Sequence, residues 1–403
     1  MARIPEIALP ATLREQLARG HPWVYRDHVP PTVRLPPGTW VRARCGGWVG
    51  YGLWDATGAI ALRIFSERRV PDAGWVRERV AAAWELREAL IEMDCTAFRW
   101  VYGEGDGVPG LVVDRYGDWA AIQSHLAGGD ALLGWLADAL REVYPLRGIV
   151  LRSRASANEL ASDDERRSPL VAGRASVLWG APPPADLTVT EHGLRFYADL
   201  LGGQKTGLFL DQRENRRYIE SVAAGREVLN CFAYTGAFSL YALRGGARRV
   251  VSVDSGGGLA EAAAANIALN GLSAARHRFE TADCFELLAR YAAEGRRFDL
   301  VILDPPSFAR RKESRYAALR AYTRLNALAL RCVAPGGLLA SASCTSQVGP
   351  EAFREMLGAA AREAGARLRI VHEAGHPADH PVPAGFPEGR YLKFVVGQVS
   401  EPA

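Results

Sequence analysis

Residues 300–308 read Leu-Val-Ile-Leu-Asp-Pro-Pro-Ser-Phe. The unbroken apolar run Leu300–Leu303, β-branched at Val301 and Ile302, predicts a strand buried on both faces. It stops at an acid followed by two prolines, Asp304-Pro305-Pro306, which fix the backbone in a rigid turn poor in N–H donors. Short runs of the same kind recur upstream at Arg226–Phe232, Arg249–Val253 and Arg278–Thr281, and downstream at Gly337–Ser343. Helical patterns separate them at 236–245, 258–270, 284–294, 313–333 and 350–364. Strictly alternating strands and helices predict an α/β fold with a doubly wound parallel sheet. Ligands of such sheets sit at the carboxyl ends of the strands, so the residues just past each strand carry the chemistry.

The first strand runs into Asn230-Cys231-Phe232-Ala233-Tyr234-Thr235-Gly236-Ala237. Small residues at 233, 236 and 237 let a ligand approach the backbone where the next helix begins. Phe232, Tyr234, Thr235 and Gly236 are therefore candidate cofactor contacts, although a tight strand-to-helix turn needs small residues in any case. Asp254, with Ser255 beside it, follows the second strand and offers two acceptor oxygens to a ribose diol. NAD and S-adenosylmethionine share that ribose, so Asp254 does not choose between them. Asp283-Cys284 follows the third strand, where the acid could accept from an adenine amine; the thiols of Cys231 and Cys284 read as structural. Asp304 and Pro305 are, with Cys284, also candidates for the cofactor cleft, and their turn separates the classes. In enzymes that methylate amines or bases, such a turn aims polar groups at the edge of a flipped base. A dehydrogenase has no use for it, and no G-x-G-x-x-G follows the first strand.

Working towards the amino terminus, residues 1–73 read as short strands broken by Pro30-Pro31 and Pro36-Pro37-Gly38, a small β-barrel pattern. An amphipathic helix follows over 74–93. A small α+β unit then has strands near Phe98–Tyr102, Leu111–Asp114, Ala120–Gln123 and Gly148–Arg152, and a helix over Asp130–Val143. Ala161–Ser168 reads as a charged loop, and Ala181-Pro182-Pro183-Pro184 as a linker. Three domains are expected, 1–73, 74–188 and 189–403, which 403 residues can fill with full cores.

Residues 1–75 hold ten arginines against six acids, a surplus equal to the net charge of +4 on the whole chain. A basic module on a nearly neutral body suits a polyanionic partner. No run approaches the roughly 18 apolar residues of a membrane helix, and the start, Met-Ala-Arg-Ile-Pro-Glu, lacks the apolar core of a secretion signal. A cytoplasmic protein is expected. The six cysteines are scattered without a C-x-x-C pair, so neither a metal site nor a disulfide framework is indicated.

Four long strings then carry a resemblance: Gly20–Tyr25 (Gly-His-Pro-Trp-Val-Tyr), Gly103–Tyr116 (Gly-Glu-Gly-Asp-Gly-Val-Pro-Gly-Leu-Val-Val-Asp-Arg-Tyr), Gly203–Arg216 (Gly-Gln-Lys-Thr-Gly-Leu-Phe-Leu-Asp-Gln-Arg-Glu-Asn-Arg) and Phe386–Lys393 (Phe-Pro-Glu-Gly-Arg-Tyr-Leu-Lys). Over nearly its whole length the chain resembles the bacterial 23S ribosomal RNA cytosine-5 methyltransferases built from a PUA domain, a central α/β domain and a class I methyltransferase domain. The resemblance implies S-adenosylmethionine as cofactor, large-subunit ribosomal RNA as partner, and Cys344, in Ser341-Ala342-Ser343-Cys344-Thr345-Ser346, as nucleophile.

The chemistry agrees with that role. Carbon 5 of cytosine is a poor nucleophile until a thiolate adds at carbon 6. Asp304 would meet the N3 edge and offset the charge that develops. The plain alternative for Cys344 is a small residue buried at a crowded strand end. Many RNA cytosine-5 methyltransferases carry a second cysteine in the fourth-strand turn; here Pro305-Pro306-Ser307 has none, and the base that takes the carbon-5 proton goes unassigned. Lys205, Gln212 and Arg213 are candidates for the cofactor cleft, and Arg310, Arg311, Lys312, Arg315, Arg320 and Arg324 for RNA phosphates. Two rivals stay open: an N-methyltransferase acting on a guanine or adenine, and a non-catalytic RNA-binding assembly factor. A homodimer also stays open.

Overall fold

The computed structural model describes residues 4–153, 175–203, 206–308 and 314–400. The expected loop at 161–168, Lys205, Arg310, Arg311 and Lys312 lie outside them. The chain divides into two compact units, the first made of Met1–Gly193, Tyr197–Leu210 and Ala378–Gly389, the second of Leu194–Phe196, Asp211–Pro377 and Arg390–Ala403. Among the described residues no helix is long and apolar enough to cross a membrane.

The first unit holds two five-stranded sheets. One has the order Glu6–Ala8, Trp40–Cys45, Trp48–Trp54, Ile60–Ser66, Trp23–Tyr25. It buries Val24, Val41, Ala43 and Leu62 with Leu13 and Leu17. The other has the order Ala175–Gly180, Gly148–Ser153, Trp119–Ser124, Leu111–Tyr116, Ala97–Tyr102. Its inward residues Phe98, Trp100, Val113 and Ile122 meet Trp75, Val76 and Val80 of helix Ala73–Glu85 and Leu132, Leu136 and Leu140 of helix Asp130–Val143.

The single helix expected over 74–93 is instead two, Ala73–Glu85 and Glu88–Glu92. The break falls where Arg87 turns inward. Its guanidinium is fully buried, forks onto both oxygens of Asp106 at 2.7 Å, and donates to the carbonyls of Ala83, Arg99 and Asp379. A desolvated guanidinium needs all of those acceptors, and the helix yields to supply them.

The second unit is a seven-stranded sheet in the order His277–Thr281, Arg249–Asp254, Glu227–Cys231, Phe298–Leu303, Val333–Ser343, Lys393–Ser400, Arg367–Ala374. The first five are parallel and match the five expected runs; the last two were not expected, and of them Lys393–Ser400 runs against the rest, pairing antiparallel with a neighbour on each side. Glu227–Cys231 lies between Arg249–Asp254 and Phe298–Leu303, so the winding reverses there. That reversal opens a crevice at the carboxyl edge. Strand Lys393–Ser400 pairs Lys393 with Ser343. Its first residue thus joins the same edge from the opposite direction.

Candidate active site

At the reversal the backbone is forced into an unusual shape. Phe232 and Tyr234, neither of them glycine, hold φ of +60° and +48°, and Gly236 holds +83°. Left-handed residues with a Cβ cost about 1–2 kcal/mol each. Four bonds hold the turn: Ala233 N–H donates to Val253 O at 3.0 Å, Gly236 N–H to Ala233 O at 2.9 Å, Tyr234 N–H to Asp254 Oδ2 at 3.0 Å, and Phe232 N–H to Cys284 Sγ at 3.4 Å. The buried Cys284 thiol thus serves the turn. Its hydrogen bond and burial push the Cys231 thiol well above the usual thiol range.

Helix Ala237–Arg244 begins at once, and a Cβ on Gly236 would stand 3.2 Å from Ala263 Cβ. Thr235 Oγ1 is buried without a hydrogen-bond partner among the described residues. Asp254, half-buried, accepts from Tyr234 N–H with one oxygen and from Gly256 N–H at 3.1 Å with the other. Each carboxylate oxygen has two lone pairs, so both keep capacity for a diol. Ser255 beside it is exposed. A strained turn, a missing Cβ, an unmet hydroxyl and a two-oxygen acceptor fit a ribose-bearing cofactor such as S-adenosylmethionine.

Asp283 has a structural task besides the one expected. It is exposed and caps helix Cys284–Ala293, its Oδ1 accepting from Phe285 and Glu286 N–H at 2.8 and 3.0 Å.

The other half of the edge is built from side chains. Leu303 pairs with Ser341, so Asp304 and Cys344 leave adjacent strands at the same end of the sheet. Asp304 is half-buried and accepts from Gln212 Nε2 at 2.8 Å, while Gln212 Oε1 accepts from Asn215 Nδ2 at 2.6 Å. The structure therefore brings Gln212 to Asp304, in a buried chain that the sequence did not reveal. Arg213 is fully buried next to it and donates to Glu214 at 3.1 Å. Pro305 is buried and Pro306 exposed.

Cys344 is half-buried, and the other five cysteines are buried. Beneath it lies Tyr322 of helix Arg315–Arg331, whose hydroxyl accepts from Ser343 Oγ at 3.1 Å. Burial pushes the Tyr322 hydroxyl up to about 12, and negative charge on Cys344 and Asp304 pushes the same way. Lys393 is buried and donates to the carbonyls of Thr345 and Tyr391. The sequence marks it as one of three lysines and as the last residue of a resembling string, without assigning it a role. On the same helix Arg315, Tyr316, Arg320 and Arg324 are exposed.

A family model described as S-adenosylmethionine-dependent methyltransferase matches residues 168–387, and one described as PUA-like domain matches residues 10–67. The chain is 36% identical over 386 residues to "Ribosomal RNA large subunit methyltransferase I" of Erwinia tasmaniensis, covering 94% of this chain and 95% of that one. It is also 36% identical to the protein of that name from Shewanella amazonensis, covering 96% and 97%. Among solved structures, a methyltransferase complexed with SAH superposes with a TM-score of 0.85 at 23% identity, covering 98% of this chain and all of that one.

Proposed function

Because the chain belongs to the family of S-adenosylmethionine-dependent methyltransferases, we propose that it methylates carbon 5 of a cytosine in large-subunit ribosomal RNA, with Cys344 as nucleophile. S-adenosylmethionine supplies an electrophilic methyl group when bound. The turn Phe232–Gly236 and Asp254 would hold its amino-acid and ribose portions. In this reading residues 1–73 and the exposed arginines after the active-site turn grip the RNA backbone, residues 74–188 form the central domain, and residues 189–403 carry the chemistry. Replacing Arg14, Arg34 and Arg68 by glutamine should flatten the salt dependence of RNA binding; an unchanged slope would contradict that role.

The Cys344 thiolate adds to carbon 6, forming a C–S bond while the ring electrons move towards N3. Asp304, held by Gln212, shares a proton with the N3 edge; the proton passes to N3 as the ring electrons arrive and returns when sulfur leaves. Carbon 5 would take the methyl group as its bond to the cofactor's sulfonium sulfur breaks, a neutral thioether leaving, and would then give its proton to a base. Sulfur departs with its electron pair and the ring is restored. The observation that supports this reading is that Cys344, alone of six cysteines, is not buried, and stands at the strand end next to the one bearing Asp304.

The test is mass mapping of nucleosides after incubation of unmodified large-subunit RNA with methyl-labelled S-adenosylmethionine. The label is expected in 5-methylcytidine. Label in an exocyclic amine of guanosine or adenosine would overturn the assignment, and so would near-normal turnover by Cys344→Ala.

A further inference from the structure

The chain carries 46 arginines and only three lysines, yet it buries a lysine at the carboxyl edge of the sheet. We propose that Lys393 is a positioning residue that holds Cys344 as a thiolate, both when the sulfur attacks and when it leaves. The inference rests on the nucleophilic role of Cys344 proposed above.

The geometry carries it. Lys393 pairs across the sheet with Ser343, the residue before Cys344, and its Nζ donates to the carbonyl of Thr345, the residue after. The ammonium is thereby fixed beside the Cys344 backbone. A second N–H goes to Tyr391 O at 2.7 Å, which leaves one of three. Lys393 is 3% exposed and, among the described residues, has no carboxylate within ion-pair distance. A buried ammonium is costly without an anion.

The acids nearby are otherwise engaged. Asp211 Oδ2 accepts from Tyr391 OH at 2.7 Å, and Asp304 accepts from Gln212. His376 packs its ring on Tyr391 and accepts from Leu392 N–H through Nε2, and the Tyr322 hydroxyl stays protonated at neutral pH. Among the described residues, the negative charge that acts on Lys393 is that of Cys344, with which it interacts favourably. Burial moves Lys393 down to about 8 against that attraction, so it is still mostly charged at pH 7. An arginine would keep the charge but carries a larger, planar head.

The test uses the whole protein without RNA or cofactor. The alkylation rate of Cys344 by iodoacetamide is followed by peptide mass from pH 5 to 10, in wild type, Lys393→Met and Lys393→Arg. Lys393→Met removes the charge at similar volume. Its profile should move up by about one pH unit, a roughly tenfold slower reaction at pH 7, because the thiolate is the reacting species. Lys393→Arg should restore much of the wild-type profile where it folds. A folded Lys393→Met with the wild-type profile would overturn the proposal. If that variant does not fold, wild type decides: a midpoint below the ordinary thiol value of about 8.5 supports the pair, and one at or above it overturns the pair. Alkylation involves no methyl transfer. Should Cys344→Ala keep turning over, the cytosine assignment falls while the alkylation result stands or falls separately.

Discussion

Around Phe232–Gly236 the strand edge is shaped by backbone: two left-handed residues with side chains, a glycine against Ala263, and amide donors tied to Val253, Asp254 and Cys284. Around Asp304 and Cys344, on neighbouring strands of the same sheet, it is shaped by side chains: Asn215 to Gln212 to Asp304, Ser343 to Tyr322, and Lys393 over Thr345. The difference follows from what each half would do. A cofactor that is bound and released needs a fixed cradle, and backbone amides cost little entropy to fix. A base that must be activated needs charges of chosen sign in a site poor in water, and only side chains supply those. Substitutions on the side-chain half should therefore reduce turnover with cofactor binding intact, and substitutions on the backbone half should do the reverse.

The largest effect that would sharpen this contrast is expected from Asp304→Asn, which keeps the shape but cannot pass a proton to N3. Turnover should fall by about 100-fold or more, with S-adenosylmethionine affinity unchanged by calorimetry. Loss of cofactor affinity instead would place Asp304 on the cofactor half. Gln212→Leu removes the donor that orients Asp304 and should cost about tenfold in kcat/KM. On the backbone half, Asp254→Ala removes two acceptors and loosens the turn at Tyr234. The loss of about 1.5–3 kcal/mol corresponds to roughly 10- to 150-fold weaker cofactor binding. Unchanged affinity would show that Asp254 does not hold the ribose.

The smallest effect at neutral pH concerns neither half. His277 accepts or donates through Nε2 to Ser252 Oγ at 2.7 Å, and Ser252 meets Ser239 at 2.7 Å, a polar ladder across two strands and helix Ala237–Arg244. Burial lowers His277 to about 4. The folded state then binds fewer protons than the unfolded chain between about 6.5 and 4, so stability falls as pH drops through that window and nothing is lost above it. Urea unfolding at pH 7 and pH 4.5 should show wild type losing about 2 kcal/mol more than His277→Gln. Equal losses would mean that His277 titrates normally.

Much of the second unit was legible because a parallel strand covered on both faces reads as a continuous apolar run. The residues just past those runs (Asp254, Asp304, Cys344) could therefore be picked out one by one. Arg367–Ala374 escaped because it alternates polar and apolar residues as an edge strand, and Lys393–Ser400 because it returns antiparallel after a long connection. Links between distant residues were not legible either: Gln212 to Asp304 spans 92 positions and Lys393 to Thr345 spans 48. The cap at Asp283 was legible in principle, since Asp283-Cys284-Phe285-Glu286 has the spacing of a helix start. The expectation of a ligand contact displaced it.

The central claim is that Cys344 bonds covalently to cytosine, and the most direct measurement traps that bond. With RNA carrying 5-fluorocytosine and with S-adenosylmethionine present, the fluorine on carbon 5 cannot leave as a proton does after methyl transfer. Wild type should then form an enzyme–RNA adduct that survives denaturing electrophoresis and maps to the peptide containing Cys344, and Cys344→Ala should form none. Wild type that methylates RNA yet leaves no adduct, or an adduct that persists in Cys344→Ala, would contradict it.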